Sequence, residues 1–409
     1  MTAPADPRRG LPAGAAAFTD GAAAVDAHLT ALVSLPGLGP RRLGQLLAAC
    51  PDPVELWQLL AGPGAPAPAL RSAALGPKTA ELLRQWAVAG RGVDPALLGD
   101  AHRRAGVRLL RRGGPGYPAR LADDLHSPLV LFSTGDLSIL DGPTVAIVGT
   151  RRATPYGLNL ARRWAAELTE AGVAVVSGLA RGIDAAAHDG ALRALEAEPA
   201  SPVPIGVVGT GLDVVYPRSS RLLWRAVAQR GLLLSEAPLG TQAERWRFPA
   251  RNRIIAGLAD AVLVVESHER GGALSTAEEA LDRNRPVLAV PGSVHAEASA
   301  GTNRLIQEGS GLARSVLDVL EALPLGARPA AGRSGKVDPR RPERCAPRGY
   351  QPSAEEQTLL DALGWDPATL DVLVARLGWP LGITCRVVES LTTHNLVMHR
   401  GPHILQVRE

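Results

Sequence analysis

The sequence VAIVGTRRATPYGLNLARRWAAELTEAGVAVVSGLARGIDAAAH, residues 145–188, decides the fold, because it has the pattern strand, turn, helix, strand, turn, helix. Its two predicted strands, 145–148 and 173–176, are short unbroken runs of Val, Ile and Ala, which is typical of strands buried on both faces of a parallel sheet. The same alternation continues through four further predicted strands, 205–208, 232–234, 262–265 and 287–290. Strands that alternate with helices predict an α/β fold with right-handed crossovers and a doubly wound parallel sheet.

The segments on either side of this core differ in composition and predict further domains. Residues 1–20 are rich in Ala, Pro and Gly without periodicity and predict a disordered tail, whereas 21–100 have helical spacing and predict a small helical domain. The α/β core is assigned to 101–325. Residues 326–352 are polar, basic and rich in Pro and Gly, which predicts a flexible linker. Residues 353–409 have three helical patterns followed by a hairpin, which predicts a winged-helix domain.

The overall composition is typical of a globular protein. The chain has 409 residues, 46% of them hydrophobic and 21% charged, which allows two or three domains with buried cores. Its net charge of +4 is compatible with a polyanionic partner but too small to establish one. The cysteines Cys50, Cys345 and Cys385 are odd in number and far apart, so neither a disulfide framework nor a metal cluster is predicted. No apolar run is long enough to span a membrane, and we expect a cytoplasmic protein without a membrane partner.

Small, hydroxyl-bearing and basic residues follow five successive predicted strands. Because the carboxyl ends of parallel strands meet at one edge of the sheet, where α/β proteins bind ligands, we expect these residues to form one surface. Glycines allow close approach, hydroxyls donate to phosphate, arginines add charge, and the helix start expected within 149–157 offers N–H groups to an anion. Such a row suits a polymer of phosphates, so DNA binding is predicted. The predicted DNA-binding residues are Gly149, Thr150, Arg151, Ser177, Gly178, Arg181, Arg218, Arg247, Phe248, Arg251, Asn252, Arg253, Gly272, Ser275 and Thr276.

The same strand ends lack the motifs of several enzyme classes. The turn after 145–148 has no G-x-G-x-x-G pattern and no Gly-Lys-Ser/Thr, so no nucleotide cofactor is predicted. No strand end combines a nucleophile with its base, and Ser177 has no His and Asp that the sequence places beside it, so no catalytic residue is predicted. Structural alternatives stay open: a Gly-rich strand end can be only a tight turn, and residues 245–253 can be a solvated charged loop. Phe248 can stack on a base or be buried.

The flanking domains each contain one candidate for DNA contact. Residues 35–43, LPGLGPRRL, resemble a helix-hairpin-helix turn, whose glycines can expose N–H groups to a DNA backbone; the alternative is a hairpin that only packs within the bundle. The predicted helix at 383–393 can enter a DNA groove, but it has few basic residues and is equally suited to docking a partner protein. The sequence leaves both roles undecided.

Seven strings, in their order and spacing, resemble the DprA/Smf family (DNA-processing protein A). They are GTRRATPYG at 149–157, SGLARGIDAAAH at 177–188, GTGLDVVYPRSS at 209–220, FPARNRIIAGLADAVLVVE at 248–266, GGALSTAEEAL at 271–281, AVPG at 289–292 and GTNRLIQEGSG at 301–311. The resemblance covers nearly the whole chain. It implies an extended Rossmann-like core that is usually preceded by a SAM-like helical domain and often followed by a winged helix, and the three predicted domains match that arrangement.

The resemblance also implies a function. Members of this family bind single-stranded DNA without strong sequence preference, form dimers, protect incoming DNA and load the RecA recombinase during natural transformation. It implies a homodimer that is not an enzyme, has no cofactor, and has RecA and single-stranded-DNA-binding protein as protein partners. By matched position, Arg151 resembles the family's principal DNA-contacting basic residue, while Ser177, Gly178 and Arg181 lie in its second pocket string. The positions matched in the later strings are Arg218, Phe248, Arg251 and Asn252.

Two other functions stay open. The core also resembles nucleoside-phosphate hydrolases of the lysine-decarboxylase-like group through small-residue loops such as 271–273. Those enzymes carry a paired Arg and Glu within a Pro-Gly-Gly-x-Gly-Thr-type loop, and this chain has no such loop. The second alternative is a docking protein without DNA affinity.

Overall fold

A computed structural model describes residues 13–61, 79–122, 124, 126–324, 352–363, 368–393, 396–400 and 403–406. The chain forms two compact units, Met1–Gly335 and Lys336–Glu409. Residues 1–12 of the predicted tail and 326–351 of the predicted linker lie outside the described residues, and the domain limits drawn from the sequence stay predictions. Within the described residues, no helix is both long enough and apolar enough to cross a bilayer.

The first unit begins with helices and continues as an α/β domain. Within its described residues the first helices are α1 Ala13–Ser34, α2 Pro40–Ala49, α3 Pro53–Ala61, α4 Thr79–Gly90 and α5 Pro95–Arg104. The strands are β1 Arg108–Arg111, β2 Val130–Thr134, β3 Thr144–Val148, β4 Ala174–Ser177, β5 Ile205–Val208, β6 Leu232–Ser235, β7 Ala261–Val264, β8 Val287–Ala289 and β9 Gly311–Leu312. The later helices are α6 Ala119–Ala122, α7 Pro155–Glu170, α8 Ile183–Ala197, α9 Arg221–Arg230, α10 Arg247–Leu258, α11 Gly272–Leu281, α12 Ala300–Gln307 and α13 Val316–Ala322.

The described strands of this unit form one nine-stranded sheet in the order β1-β2-β6-β5-β4-β3-β7-β8-β9. Neighbours from β6 through to β9 are parallel, whereas β2 pairs antiparallel with both β6 and β1. The chain runs outward from β3 to β6 and then returns to the other side of β3 with β7. This reversal between β3 and β7 is that of a doubly wound sheet, so the predicted extended Rossmann-like α/β class is confirmed.

Alternate residues of the central strands face opposite layers of helices. In β3, Val145 and Ile147 belong to the apolar core that includes α7 and α8, while Ala146 and Val148 belong to the core that includes α10 and α11. All residues of β3 to β7 are buried. Burial on both faces explains why these strands are unbroken apolar runs in the sequence.

The N-terminal helices pack on the sheet beside β2 and β6. Leu43 and Trp86 share one apolar core with Phe132 of β2 and Leu233 of β6. The indole N–H of Trp86 donates to the carbonyl of Pro36 at 2.9 Å, which ties α4 to the turn between α1 and α2. That turn is therefore held in a defined position over the sheet.

Three sequence expectations need correction. Helix α1 begins at Ala13, inside the predicted tail 1–20, because alanine has the highest helix propensity and dominates its first turns. Helix α10 begins at Arg247, so most of the 245–253 segment is helical and not a solvated loop. Pro249 is compatible with this first turn, because the N–H that it lacks would have no acceptor within the helix. The sequence pattern also fails to predict β1, β2 and β9, which are added outside the buried parallel core.

The described residues of the second unit form the predicted winged-helix fold. Its elements are α14 Ala354–Leu363, β10 Ala368–Thr369, α15 Leu370–Leu377, α16 Leu381–Thr393, β11 Val397–Arg400 and β12 His403–Gln406. Strand β12 pairs antiparallel with β11 and with β10. Leu359, Leu373, Leu391 and Ile404 belong to its buried core. The sequence predicts the three helices and the hairpin, whereas β10 needs a partner strand that only folding brings beside it.

His102 of α5 joins the N-terminal helices to a loop of the sheet. Its ring is buried and lies 5.2 Å from the Phe132 ring, measured between centroids. Nε2 accepts the N–H of Leu239 at 3.0 Å, and Nδ1 lies 2.9 Å from the carbonyl oxygen of Leu98. Since a carbonyl can only accept, Nδ1 must donate, and both bonds require the neutral ring. Burial lowers the pKa of His102 below its ordinary value.

We expect low pH to weaken this contact between α5 and the loop at Leu239. The unfolded chain binds a proton at His102 near pH 6.5, while the folded ring resists it, so the contribution to stability is complete above that pH and is lost as the pH falls below it. His102→Gln keeps an acceptor for Leu239 but cannot titrate. As the pH falls below 6.5, the free energy of unfolding of the natural protein should therefore decrease more than that of the variant. The difference should grow by up to about 1.4 kcal/mol per pH unit. Urea unfolding at several pH values would measure it, and equal pH slopes in the two proteins would contradict it.

Candidate nucleic-acid interface

The carboxyl ends of the parallel strands form one edge of the sheet, and the loops that follow them carry the predicted site. Strands β3 and β7 are neighbours there, and the chain winds away from them in opposite directions across the sheet. Such a reversal opens a crevice at the strand ends, where α/β proteins bind ligands. Loops that are far apart in the sequence therefore lie side by side at this edge.

The arginine–aromatic stack consists of Arg151, Phe248 and Tyr216. The guanidinium carbon of Arg151, which follows β3, lies 5.5 Å from the centre of the Phe248 ring at the start of α10. The ring of Tyr216, from the loop after β5, stacks on Phe248 with centroids 5.0 Å apart and planes inclined by 29°. Arg151 and Tyr216 are exposed and Phe248 is half-buried. The stack can therefore hold an anion at the Arg151 guanidinium and a planar group of the same ligand against its aromatic rings.

Two further arginines lie close to the stack, Arg218 in the sequence and Arg181 in the folded structure. Arg218 comes two residues after Tyr216, and Arg181 precedes the helix whose first N–H, from Ile183, donates to the carbonyl of Thr150 at 3.3 Å. Both arginines are exposed, and neither has an ion-pair partner within the described part of the chain. They extend the positive charge of the stack along the strand ends.

Arg247 also lies at this edge, but its charge is partly compensated. It is half-buried, its guanidinium carbon lies 4.5 Å from the centre of the Trp246 ring, and its Nε pairs with Glu244 at 3.1 Å. Arg247 thus lies at the predicted edge beside Phe248. Its contacts with Trp246 and Glu244 were not predicted from the sequence.

Arg251 lies beneath the edge and is buried. It is 6% exposed, and its Nη1 donates to the carbonyl of Val207 at 2.6 Å. Its guanidinium occupies the space that any side chain at Gly178 would need, so this glycine serves packing and not ligand approach. Burial lowers the pKa of Arg251 to about 10, so the group stays positive at neutral pH near the buried Asp184. The predicted direct DNA contacts of Arg251 and Gly178 are therefore corrected to a supporting role.

Three predicted hydroxyl contacts are buried as well. Ser177 is fully buried, and its hydroxyl donates to the carbonyl of Ile147 at 2.6 Å. Thr150 is 8% exposed, and its Oγ1 accepts the N–H of Arg152 at 3.2 Å. Thr276 is 2% exposed within α11. Because these hydroxyls face the interior, the prediction that they contact DNA is wrong.

The predicted residues at the junction of α10 and α11 are bonded within the protein. Asn252 is half-buried, and its Nδ2 donates to Ser275 Oγ at 2.7 Å, which ties α10 to the start of α11. Arg253 forms an ion pair with Glu236 at 2.5 Å. Gly272 is exposed in the first turn of α11. These residues lie at the predicted edge, and among them Gly272 is the most accessible.

The first turn of α7, predicted to bind an anion, is filled by a carboxylate of the chain itself. Glu266 follows β7 and is 3% exposed; its Oε2 accepts the N–H of Thr154 at 2.9 Å, and its Oε1 accepts the Thr154 hydroxyl. Thr154 Oγ1 in turn accepts the N–H of Gly157 at 3.1 Å. The Glu266 carboxylate occupies the place of a side chain at Gly157, and the half-buried Gly149 lies against the Glu266 backbone. The prediction fails here because a contact between distant segments satisfies the helix terminus.

Tyr216 and Trp246 belong to this edge but are not among the predicted contacts. Trp246 is 52% exposed and Tyr216 41%. Aromatic residues make up only 3% of the chain, and among the described ones Tyr156 alone is comparably exposed. An aromatic residue close to an arginine in a strand-end loop is the sequence signal that could have identified both.

The other titratable groups near the strand ends offer little chemistry to a ligand. His188 of α8 is fully buried, and burial lowers its pKa to about 4, so it is a neutral packed side chain. Within the described residues no group of three His, Cys, Asp or Glu side chains could hold a metal ion. The accessible chemistry of this edge is that of arginine and aromatic rings.

The fold and this edge define a class of protein: a Rossmann-like α/β protein with N-terminal helices and a winged helix, whose strand ends carry arginine and aromatic side chains. The family model of DNA recombination-mediator protein A matches residues 108–324, and that of the DprA winged helix domain matches 343–387. The chain belongs to the DNA recombination-mediator protein A family.

Individual relatives agree with this assignment. The chain is 38% identical to DNA processing protein DprA of Bacillus subtilis over 225 residues, 55% of this chain and 74% of that protein. It is 42% identical to the DprA of Streptococcus pneumoniae over 204 residues, 50% of this chain and 70% of that protein. The X-ray structure of DNA processing protein A from Streptococcus pneumoniae superimposes with a TM-score of 0.60 at 32% identity and covers 73% of this chain and 98% of that one. The family predicted from the seven strings is confirmed.

We expect Gly157→Ala to destabilise the first unit. The added methyl group would displace the buried Glu266 carboxylate from the start of α7 and leave polar groups without partners, at a cost of about 1–3 kcal/mol. Gly272→Ala is the matched control, because its methyl group meets nothing within 4 Å at the start of α11, and it should change stability by less than about 0.5 kcal/mol. Denaturant unfolding of both variants would measure the difference. If both variants unfolded like the natural protein, the carboxylate would not be required at α7.

Proposed function

We propose that this protein binds single-stranded DNA at the arginine–aromatic stack and acts as a recombination mediator, not as an enzyme. The observation that carries the proposal is that Arg151 lies over Phe248, which stacks on Tyr216, at the carboxyl ends of the strands. The guanidinium suits a backbone phosphate, and the rings suit an unpaired base. In a duplex the faces of the bases are already stacked on one another, so the rings favour single strands.

The charge distribution supports binding without sequence preference. Arg151, Arg181 and Arg218 are exposed and can contact phosphates, which every sequence presents in the same way. Phosphate contacts make affinity independent of sequence and dependent on salt, and a recombination mediator needs to accept any strand.

Family membership supports the finer parts of the proposal. We infer that the protein protects incoming DNA and loads RecA onto it during natural transformation, that it acts as a homodimer, and that single-stranded-DNA-binding protein is a further partner.

We expect Arg151→Ala to weaken binding to oligonucleotides of every sequence. Loss of one charge-assisted contact should reduce the affinity by about ten- to a hundredfold, and the slope of log affinity against log salt should become shallower by about 0.7. Fluorescence anisotropy with labelled single strands at several salt concentrations would measure both quantities. Duplex of the same sequence should bind more weakly than the single strand.

Arg230→Ala is the matched control for this experiment. Arg230 ends α9 at the opposite edge of the sheet, and its one ion pair among the described residues is an exposed pair with Glu196. This variant should bind like the natural protein. Unchanged binding by Arg151→Ala, or equal losses in both variants, would refute the assignment of the stack as the binding site.

RecA loading can be tested separately from DNA binding. On single strands covered with single-stranded-DNA-binding protein, we expect the natural protein to shorten the lag before RecA filaments form by severalfold, because it holds DNA in a form that RecA can enter. Arg151→Ala should lose most of this effect, and Arg230→Ala should keep it. A protein that bound DNA but left the lag unchanged would retain the binding function and lose the loading function.

A further inference from the structure

A cleft of about 830 Å³ separates the turn between α1 and α2 from the strand ends of β5 and β6. Residues 33–40 with Arg42 form one wall, and residues 235–241 with Trp246 and Arg247 belong to the other. We call this space the hairpin cleft. Its size falls within the range of small-molecule sites, about 300–1,000 Å³. All of its lining belongs to the first compact unit.

Trp246 presents a rigid aromatic surface to the hairpin cleft. Its indole is 52% exposed, yet its Nε1–H donates to Glu244 at 2.6 Å, and the guanidinium of Arg247 lies over the ring. Glu244 also accepts from Arg247 Nε at 3.1 Å, so the three side chains hold one another in place. An exposed ring that is already fixed loses little conformational entropy when a ligand stacks on it.

The hairpin cleft and the arginine–aromatic stack both border the start of α10. Trp246 and Phe248 are two residues apart in the chain, which limits the separation of their Cα atoms to about 7 Å. A strand that is held at the arginine–aromatic stack therefore has a neighbouring nucleotide within reach of Trp246.

The charges of the hairpin cleft permit a phosphate. Its two carboxylates, Glu236 and Glu244, are paired with Arg253 at 2.5 Å and with Arg247 at 3.1 Å. Arg42 on the opposite wall donates to the carbonyl of Gly37 at 2.9 Å, and within the described residues it has no carboxylate partner. The acidic groups are thus compensated, while one guanidinium keeps its charge for an anion.

We propose that the hairpin cleft binds a second nucleotide of the same single strand, with its base on Trp246 and its phosphate facing Arg42. This inference rests on the proposed function, which puts the neighbouring nucleotide on the arginine–aromatic stack. It gives the N-terminal helices a direct contact with the DNA. That contact is made through the turn at residues 35–43, which resembles a helix-hairpin-helix turn. The ligand is a nucleobase with its backbone phosphate, and no base sequence is specified.

Photo-crosslinking of the natural full-length protein gives the first test. Single strands that carry one 5-iodouracil at successive positions are bound and irradiated, and the adducts are mapped. We expect an adduct at Trp246 from a position one or two nucleotides away from the position that reacts with Phe248 or Tyr216. Adducts at the stack without any at Trp246 or at residues 33–43 would overturn the inference.

Affinity for oligothymidylates of roughly 4 to 16 nucleotides, the usual range of site sizes, gives the second test. Trp246→Ala should weaken the longest strands by about five- to a hundredfold, the equivalent of about 1–3 kcal/mol of stacking, and the shortest strands less. Trp246→Phe should restore most of the loss. Leu222→Ala, which removes a 77% exposed side chain of α9 outside the cleft, is the matched control and should bind as the natural protein does.

The outcomes separate the two proposals. If the natural protein bound no single strand at all, the proposed function would fail. If it bound single strands through Arg151 while Trp246→Ala retained full affinity at every length, only the hairpin cleft would be excluded.

Discussion

A buried guanidinium holds the strand ends and the start of α10 together. Arg251 donates to the carbonyl of Val207 in β5 and lies near the buried Asp184 of α8, so it connects α10 to one strand and to a second helix. Phe248 lies three residues earlier on α10 and therefore on a neighbouring face of the helix. Separating a buried charge from its partners is costly, which keeps the first turn of α10 in place and with it the contact between Phe248 and Tyr216. The exposed stack thus depends on a residue that is itself shielded from solvent.

The helix terminus at the switch point is satisfied from within. The Glu266 carboxylate caps the start of α7, and the Asp184 carboxylate accepts the N–H of Gly178 at 3.1 Å. Attraction for an anion at this edge therefore comes mainly from side chains such as Arg151 and Arg218. Long, exposed guanidinium groups can adapt to a flexible backbone, whereas a ring of backbone N–H groups would select one phosphate geometry. This difference fits a ligand that is a polymer of varying sequence.

The N-terminal helices and the strand ends form one structure because their apolar side chains share one buried core, and two polar contacts fix the segments at its border. The Trp86 indole holds the turn at Pro36, and His102 holds the loop at Leu239. That loop leads towards Trp246, so the turn and the aromatic edge face each other across the hairpin cleft. The position of the N-terminal helices therefore sets the shape of the hairpin cleft as well as contributing to stability.

The sequence by itself determined the buried parallel core of the sheet and the edge at which the predicted site residues lie. Unbroken apolar runs identify buried parallel strands, and parallel strands necessarily end on the same side, so Arg151 and Phe248 could be assigned to one surface. Only the tertiary structure decided which residues of that surface are accessible: Ser177 and Arg251 face inward, and Glu266 returns to cap α7. The reason is that burial and pairing depend on contacts between segments far apart in the chain, which a local pattern of residues does not contain.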